Sequence, residues 1–253
     1  MGNERARIRI GTAAWAIPRA YAGEFGEGGS VLARYATRFD AVEINSSFYR
    51  PHQTATYARW AESVPTGFRF SVKLPQEISH ERALRGAGPA LDRFLGQVAG
   101  LGDRLGCLLL QLPPGQAFDA RVAATFFGML RRRAEVPVAC EPRHASWFTP
   151  SADTLLARYR ISRAAADPAR VPSAGEPGGD PSTSYFRWHG APRIYYSPYG
   201  PAAIESLAEQ ARAAAGAHRV SWVIFDNTAH GFATRDALRL QARMRSPASR
   251  SAQ

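Results

Sequence analysis

The chain has 253 residues, 45% of them hydrophobic and 21% charged, an ordinary globular balance that can bury a sizeable core without disulfide or metal staples. Its formal net charge is +11, but the arginines are scattered rather than gathered into an aromatic-interleaved basic stripe, which argues against a nucleic-acid partner. No apolar run reaches the roughly 18 residues of a membrane span, so none is expected.

In chain order, the opening MGNERA is charged and lacks the apolar stretch of a secretory signal, and Ala6 stands where a myristoylation signal carries Ser or Thr. The first predicted strand is RIRIGTAAW (7–15). Ser30 fits as the cap of a helix over VLARYATR, ahead of a second strand, DAVEIN (40–45). Thr54 is placed to cap ATYARWAESV, which Pro65 ends, before the third strand GFRFSVK (67–73). Pro89 suits the first turn of ALDRFLGQVAGL, and LGCLLLQL (105–112) follows as the fourth strand. Asp119 is placed to cap ARVAATFFGMLRRR, whose closing arginines meet the negative end of the helix dipole. VPVACE (136–141) is fifth, Ser151 precedes the helical ADTLLARY, and ISRAAAD (161–167) is sixth. TSYFRWHG (183–190) is seventh, with Pro201 opening AAIESLAEQARAAA after it. VSWVIFDN (220–227) is eighth; Thr234 precedes a last helix, RDALRLQARM, and SPASRSAQ (246–253) reads as a disordered tail.

Eight strands with helices between them predict a (β/α)8 barrel, in a single domain over residues 1–245. An open doubly wound sheet is the rival, weakened because no glycine-rich dinucleotide fingerprint follows a strand. Residues 167–183, rich in Pro and Gly, cannot form a regular helix, so a long loop is predicted to replace the helix between strands six and seven, close to the site. Cys107 and Cys140 lie in or beside apolar strands without metal-ligand or disulfide spacing. They read as reduced structural thiols of a cytoplasmic protein.

A barrel collects its chemistry at the C-terminal ends of its strands. There the sequence places Trp15, Glu43 with Asn45, Lys73, Gln111, Glu141 with Arg143, Asp167, Arg187 with His189, and Asp226 with Asn227. Strand side chains alternate with period two, so each such pair two residues apart shares a face. Bland readings stand beside these: Gln111 tying down a loop, Asn45 capping a turn, Glu141 and Arg143 as a structural ion pair, Trp147 as a packing anchor, and Asp226 facing the helices. His189 can transfer protons near neutral pH, and His80 follows the third strand closely enough to approach the mouth. His52, His218 and His230 read as surface or helix-end residues.

Lys73 is the only lysine of the chain; the other 31 of its 32 basic residues are arginine. A position needing only a cation would be expected to hold arginine here. Lysine supplies a compact amine whose pKa falls on burial, able to act as a base or to form an imine.

These stretches, GTAAW (11–15), VEINSSFYR (42–50), FRFSVKLP with EISH (68–80), LLLQLPP (108–114), CEPRHASW (140–147), YFRWHG (185–190) and FDNTAHGFA (225–233), resemble the DUF72 (YecE-like) family over nearly the whole chain. The resemblance implies a TIM barrel and brings no reaction. Its recurring positions match Glu43, Asn45, Lys73, His80, Gln111, Glu141, Arg143, Trp147, Arg187, His189 and Asn227. Two departures stand out: GTAAW replaces the usual GTSGW, and Asp226 replaces the first Asn of FNN, adding a carboxylate near the mouth.

Taken together, the residues predict an enzyme acting on a small anionic or hydroxylated molecule such as a sugar phosphate or carboxylate. Arg143, Arg187 and Lys73 would hold the anion. Glu43 or Glu141 would be the base and His189 the acid, with Trp15 and Trp147 as apolar walls and Asn45, His80, Gln111, Asp226 and Asn227 lining the pocket. An imine on Lys73 is a narrower version. One alternative is a divalent-metal phosphoesterase or sugar isomerase using Glu43, Glu141, Asp167, His189 and Asp226; another is a non-catalytic barrel that binds a ligand or nucleic acid. No cofactor and no oligomeric state follow from these residues.

Overall fold

The computed structural model describes residues 7–216 and 220–245. The opening hexapeptide, residues 217–219 with His218, and the 246–253 tail lie outside the described residues, and the expectations placed on them lie there too.

The strands are β1 (Arg7–Thr12), β2 (Ala41–Ile44), β3 (Arg69–Lys73), β4 (Leu105–Gln111), β5 (Val138–Glu141), β6 (Ile161–Arg163), β7 (Ala165–Asp167), β8 (Gly178–Gly179), β9 (Thr183–Trp188) and β10 (Val220–Phe225). The α-helices are α1 (Val31–Tyr35), α2 (Thr54–Glu62), α3 (Gly88–Val98), α4 (Ala120–Arg131), α5 (Pro150–Arg158), α6 (Pro201–Ala214) and α7 (Phe232–Arg245). Ser30 Oγ accepts from the Ala33 amide, and Asp119 Oδ1 from the Arg121 and Val122 amides, each at 3.0 Å, so both predicted caps form. Other helix starts shift. Thr149, not Ser151, caps α5. Gln53 precedes α2 without a side-chain cap bond. Thr234 falls inside α7, donating to the Ala16 carbonyl at 3.2 Å.

The strands form two sheets rather than one continuous ladder, ordered β1-β10-β9-β7 and β2-β3-β4-β5-β6-β8. Every pairing is parallel except that of the short β8 with β6. The sheets approach each other at two seams. Between β1 and β2, Ala13 forms an isolated parallel bridge with Glu43, and the Ala14 amide donates to the Glu43 carbonyl at 2.9 Å. One residue earlier, Tyr35 of α1 stands in for a ladder bond. The Thr12 amide donates to its hydroxyl at 2.9 Å, and the hydroxyl donates to the Ala41 carbonyl at 3.1 Å. Gly11 permits this approach, since a Cβ there would meet the Ala41 carbonyl oxygen at 2.1 Å.

The second seam lies within the predicted sixth strand, which splits. Its first part pairs with β5 and its last part, after Ala164, with β9. The Ala164 amide still donates to the Cys140 carbonyl at 2.8 Å.

No α-helix joins β7 to β9 among the described residues. Instead the chain makes a 3-10 turn at Pro172–Gly175 and the antiparallel β8. Arg163 anchors this segment by donating to the Ser173 and Glu176 carbonyls at 2.7 and 3.2 Å.

Two apolar clusters follow from strand alternation. The larger packs the outward strand residues against the helices, with Phe126 and Phe127 of α4 and Leu207 of α6 fully covered. The smaller takes members from both sheets, among them Ala41, Leu109 and Ala139 from one and Tyr185, Trp222 and Ile224 from the other. Period two puts Leu109 and Gln111 on one face, likewise Ala139 and Glu141, and likewise Tyr185, Arg187 and His189. The inner apolar face therefore continues directly into polar strand tips. Both cysteines are free and fully buried, and burial pushes the Cys107 thiol up to about 12, as expected of inert structural thiols.

Candidate functional site

Arg187 stands at the centre of the polar tips and is fully buried. Its Nη2 and Nε donate to the two oxygens of Glu43 at 2.8 and 3.0 Å, its Nη1 to Glu141 at 3.2 Å, and its Nη2 also reaches Asp226 at 2.9 Å. Burial works against its charge, but Asp226, Glu43 and Glu141 outweigh that and hold the guanidinium protonated. Such a buried network survives only when nearly every donor and acceptor is matched. Tyr185 completes it from the inner side, donating to Glu43 and lying within hydrogen-bond range of Ser71 Oγ, both at 2.9 Å.

His189 lies between two carboxylates, Nδ1 at 3.0 Å from Asp226 and Nε2 at 3.0 Å from Glu141. Both ring nitrogens then donate, which only the imidazolium can do. Burial opposes that charge, yet Glu141 and the Asp226 hydrogen bond raise the His189 pKa above its ordinary value. Burial likewise opposes ionisation of Glu141, but His189, Arg187 and Arg143 hold it well below the carboxylate range. The same competition, with Arg187 and His189 as the main partners, lowers Asp226. Gln111 and Arg143 both donate to Glu141 Oε1, each at 3.1 Å.

Lys73 is only 4% exposed, at the end of β3. Its Nζ lies 4.1 Å from the centre of the Phe48 ring and, among the described residues, has neither an ion pair nor a side-chain hydrogen bond. Desolvation first and Arg187 second lower its pKa to about 8, against the pull of Glu43, Glu141 and Asp226. The permanently charged arginine takes both Glu43 oxygens and one each of Glu141 and Asp226, and among the described residues no carboxylate bonds the amine.

Other predicted residues scatter. His80 is exposed on the rim, edge-on to Phe48 at 4.9 Å, with its pKa lowered by burial and by Lys73 and Arg143. Asn45 caps nothing through its side chain, and its Oδ1 is buried without a partner. Trp15 packs edge-on against Trp60 at 5.1 Å. Asn227 is a tether, donating to the Ser197 carbonyl and to Asp236. Asp167 turns away to accept from the Tyr199 hydroxyl at 2.7 Å. Two expectations need correction. Trp147 forms no pocket wall; it is 1% exposed in the larger core, donating to the Gln116 carbonyl at 3.0 Å. Arg187 is not offered to an anion, because carboxylates saturate it.

Three residues escaped the sequence reading. Tyr185 and Ser71 lie two residues before Arg187 and Lys73 in the same strands, so period two points to them. Tyr195 has no such signal. Its backbone is left-handed (φ 70°), its amide donates to the His189 carbonyl, and its ring stands edge-on to His189 at 5.8 Å.

A cavity of about 270 Å³ borders this cluster, with Glu141, Arg143, His189, Pro168, Arg170 and Ile194 in its wall. Of the loop predicted near the site, the residues reaching this cavity are Pro168, Ala169, Arg170 and Ala174. A larger cavity, about 800 Å³, lies between that loop, β9 and α6, with only Glu176 and Asp180 as ionisable lining. Among the described residues no group of three or more His, Cys, Asp or Glu side chains is arranged to hold a metal ion; the Arg187 guanidinium occupies the centre of the carboxylates. No helix among them is long and apolar enough to cross a membrane.

Comparison with known proteins gives a consistent family. The chain is 35% identical to the UPF0759 protein YecE of Escherichia coli K12 over 142 residues, 56% of this chain and 50% of that protein. It is 26% identical to the UPF0759 protein YunF of Bacillus subtilis 168 over 125 residues, 47% of this chain and 44% of that one. The matched parts thus span about half the length of these curated relatives. A DUF72 family crystal structure from Enterococcus faecalis V583 superposes with a TM-score of 0.80 at 22% identity, covering 95% of this chain and 96% of that one. One from Thermotoga maritima MSB8 superposes with a TM-score of 0.77 at 21% identity, covering 95% and 100%. The family model "Protein of unknown function DUF72" matches residues 9–253, and the chain belongs to that family.

Proposed function

We propose that the strand tips form the active site of an enzyme that performs acid–base chemistry on a small anionic or hydroxylated molecule, a carboxylate or sugar phosphate. The observation that carries this reading is the charge arrangement beside the cavity. Arg187, Arg143, Lys73 and a charged His189 face Glu43, Glu141 and Asp226, leaving one positive charge in excess in a covered place. An anion entering there meets little desolvation penalty beyond its own. His189 and Glu141 are the proton-transfer pair, Arg143 and Lys73 the groups that meet the anion, and Arg187 the internal cation that orients the carboxylates.

In this reading the two sheets belong to one (β/α)8 barrel in a single domain. The Ala13–Glu43 bridge, the Tyr35 hydroxyl and the split at Ala164 support closure, as does an inner apolar cluster drawn from both sheets.

Thermal-shift measurements across small carboxylates and sugar phosphates test the function. At least one anion should stabilise the wild type and fail to stabilise Arg143→Met. A panel at millimolar concentration without any stabilising anion would remove the reading.

A further inference from the structure

We propose that Lys73 is an imine-forming residue, condensing with the carbonyl carbon of a small aldehyde or ketone that carries an anionic group. This rests on the acid–base reading above and names its substrate class.

The argument begins with what Lys73 lacks. A buried lysine is almost always paired. Here three carboxylates lie close enough to act on it electrostatically, yet five of their six oxygens go to Arg187, His189, Arg143, Gln111 and Tyr185, and none to the amine. Its Nζ is left against the Phe48 ring. That arrangement stabilises the fold less than a lysine–carboxylate pair would, and it suits an amine that must lose a proton. In a chain whose other basic residues are all arginine, the exception falls where chemistry requires a removable proton, because a guanidinium cannot form an imine with a carbonyl at neutral pH. With its pKa near 8, roughly a tenth of the amine is neutral at pH 7, about 300 times the fraction of an ordinary lysine.

The step balances without an oxidant or reductant. The neutral amine attacks the carbonyl carbon, the C–N bond forms, and the carbonyl π pair moves to oxygen, which takes a proton. A proton leaves nitrogen, the hydroxyl takes another and departs as water, and the nitrogen lone pair closes the C=N bond. Overall, ammonium plus carbonyl compound gives iminium plus water. His189 and Glu141 exchange the protons, and Arg143 receives the anionic group.

A single lysine makes the test clean. The protein is incubated with glyoxylate, pyruvate or glyceraldehyde 3-phosphate, and separately with acetaldehyde and acetone, then reduced with sodium borohydride. Peptide mapping separates Lys73 from the terminal amine, and formaldehyde with cyanoborohydride reports whether the amine is reachable. At least one anionic carbonyl compound should label Lys73 tenfold more than the uncharged ones, with no label in Lys73→Arg and less in Arg143→Met. Absence of any such label, equal labelling by charged and uncharged compounds, or an amine that even formaldehyde does not reach would each overturn the proposal. Thermal shifts on the same samples keep the two readings apart. An anion that stabilises the wild type without labelling Lys73 retires the imine and leaves the acid–base site standing.

Discussion

Arg187 grips Glu43 by both carboxylate oxygens, at 2.8 and 3.0 Å, in a place where neither side chain reaches water. The pair joins β9 of one sheet to β2 of the other, so an ion pair spans the interior where apolar contacts would ordinarily suffice. Breaking it from the arginine side strands three carboxylates. Arg187→Met should therefore lose about 3–5 kcal/mol of stability. Arg187→Lys should lose less but still be impaired, since an ammonium cannot serve three carboxylates in a plane. Denaturant unfolding measures both; an unfolding free energy within about 1 kcal/mol of wild type for the methionine variant contradicts the network's role.

Lys73 offers the opposite sign. Its folded pKa of about 8 lies below the 10.5 of an unperturbed lysine, so the folded state sheds its proton first. The penalty is full below pH 8 and disappears as pH rises to about 10.5. Lys73→Met should thus be more stable than wild type at pH 7, by about 2–3 kcal/mol, and lose this advantage toward pH 10.5. Urea unfolding of both proteins at several pH values measures the difference, which must shrink with rising pH.

His189 titrates in the other direction. Its folded pKa is raised, so its contribution to stability is fully present below the unfolded value of about 6.5 and is lost as pH climbs through the folded one. Proton–nitrogen NMR of the histidine rings should rank His189 above 6.5 and His52 and His80 below it, because burial lowers the latter two without a carboxylate to compensate. A His189 ring that is neutral at pH 6.5 would contradict the imidazolium bridge.

The β1–β2 seam predicts a backbone effect that needs no change of charge. Gly11→Ala pushes a methyl into the Ala41 carbonyl and should cost about 1–3 kcal/mol or more. Tyr35→Phe removes the hydroxyl shared by Thr12 and Ala41 and should cost about 1–3 kcal/mol, the penalty of an unsatisfied buried amide. Calorimetric midpoints check both. Unchanged values would mean that the seam closes without these devices.

Much of the polar cluster at the strand tips was legible in the sequence. Glu43, Lys73, Gln111, Glu141, Arg187, His189 and Asp226 lie at or just past the ends of their strands, and a period of two puts Glu43, Gln111, Glu141, Arg187 and Asp226 on the face of Ala41, Leu109, Ala139, Tyr185 and Ile224, which point inward. Trp147 was misread because a large aromatic just past a strand end has the same signature in a pocket wall and in a core. The split at Ala164 was invisible because both halves keep the apolar character of a single strand. Tyr195 was invisible because nothing local announces a left-handed tyrosine.

The order and periodicity of the chain alone determined the alternation of strands and helices, the missing helix after the sixth strand and the identity of the polar tips, since each depends on neighbours within a few residues. Only the tertiary structure decided which cation takes the carboxylates and which is left with an aromatic ring. That outcome depends on how side chains from β2, β3, β5, β9 and β10 converge in a shared, water-poor space. There a forked, permanently charged group bonds both oxygens of Glu43 and one each of Glu141 and Asp226, and a single amine bonds none.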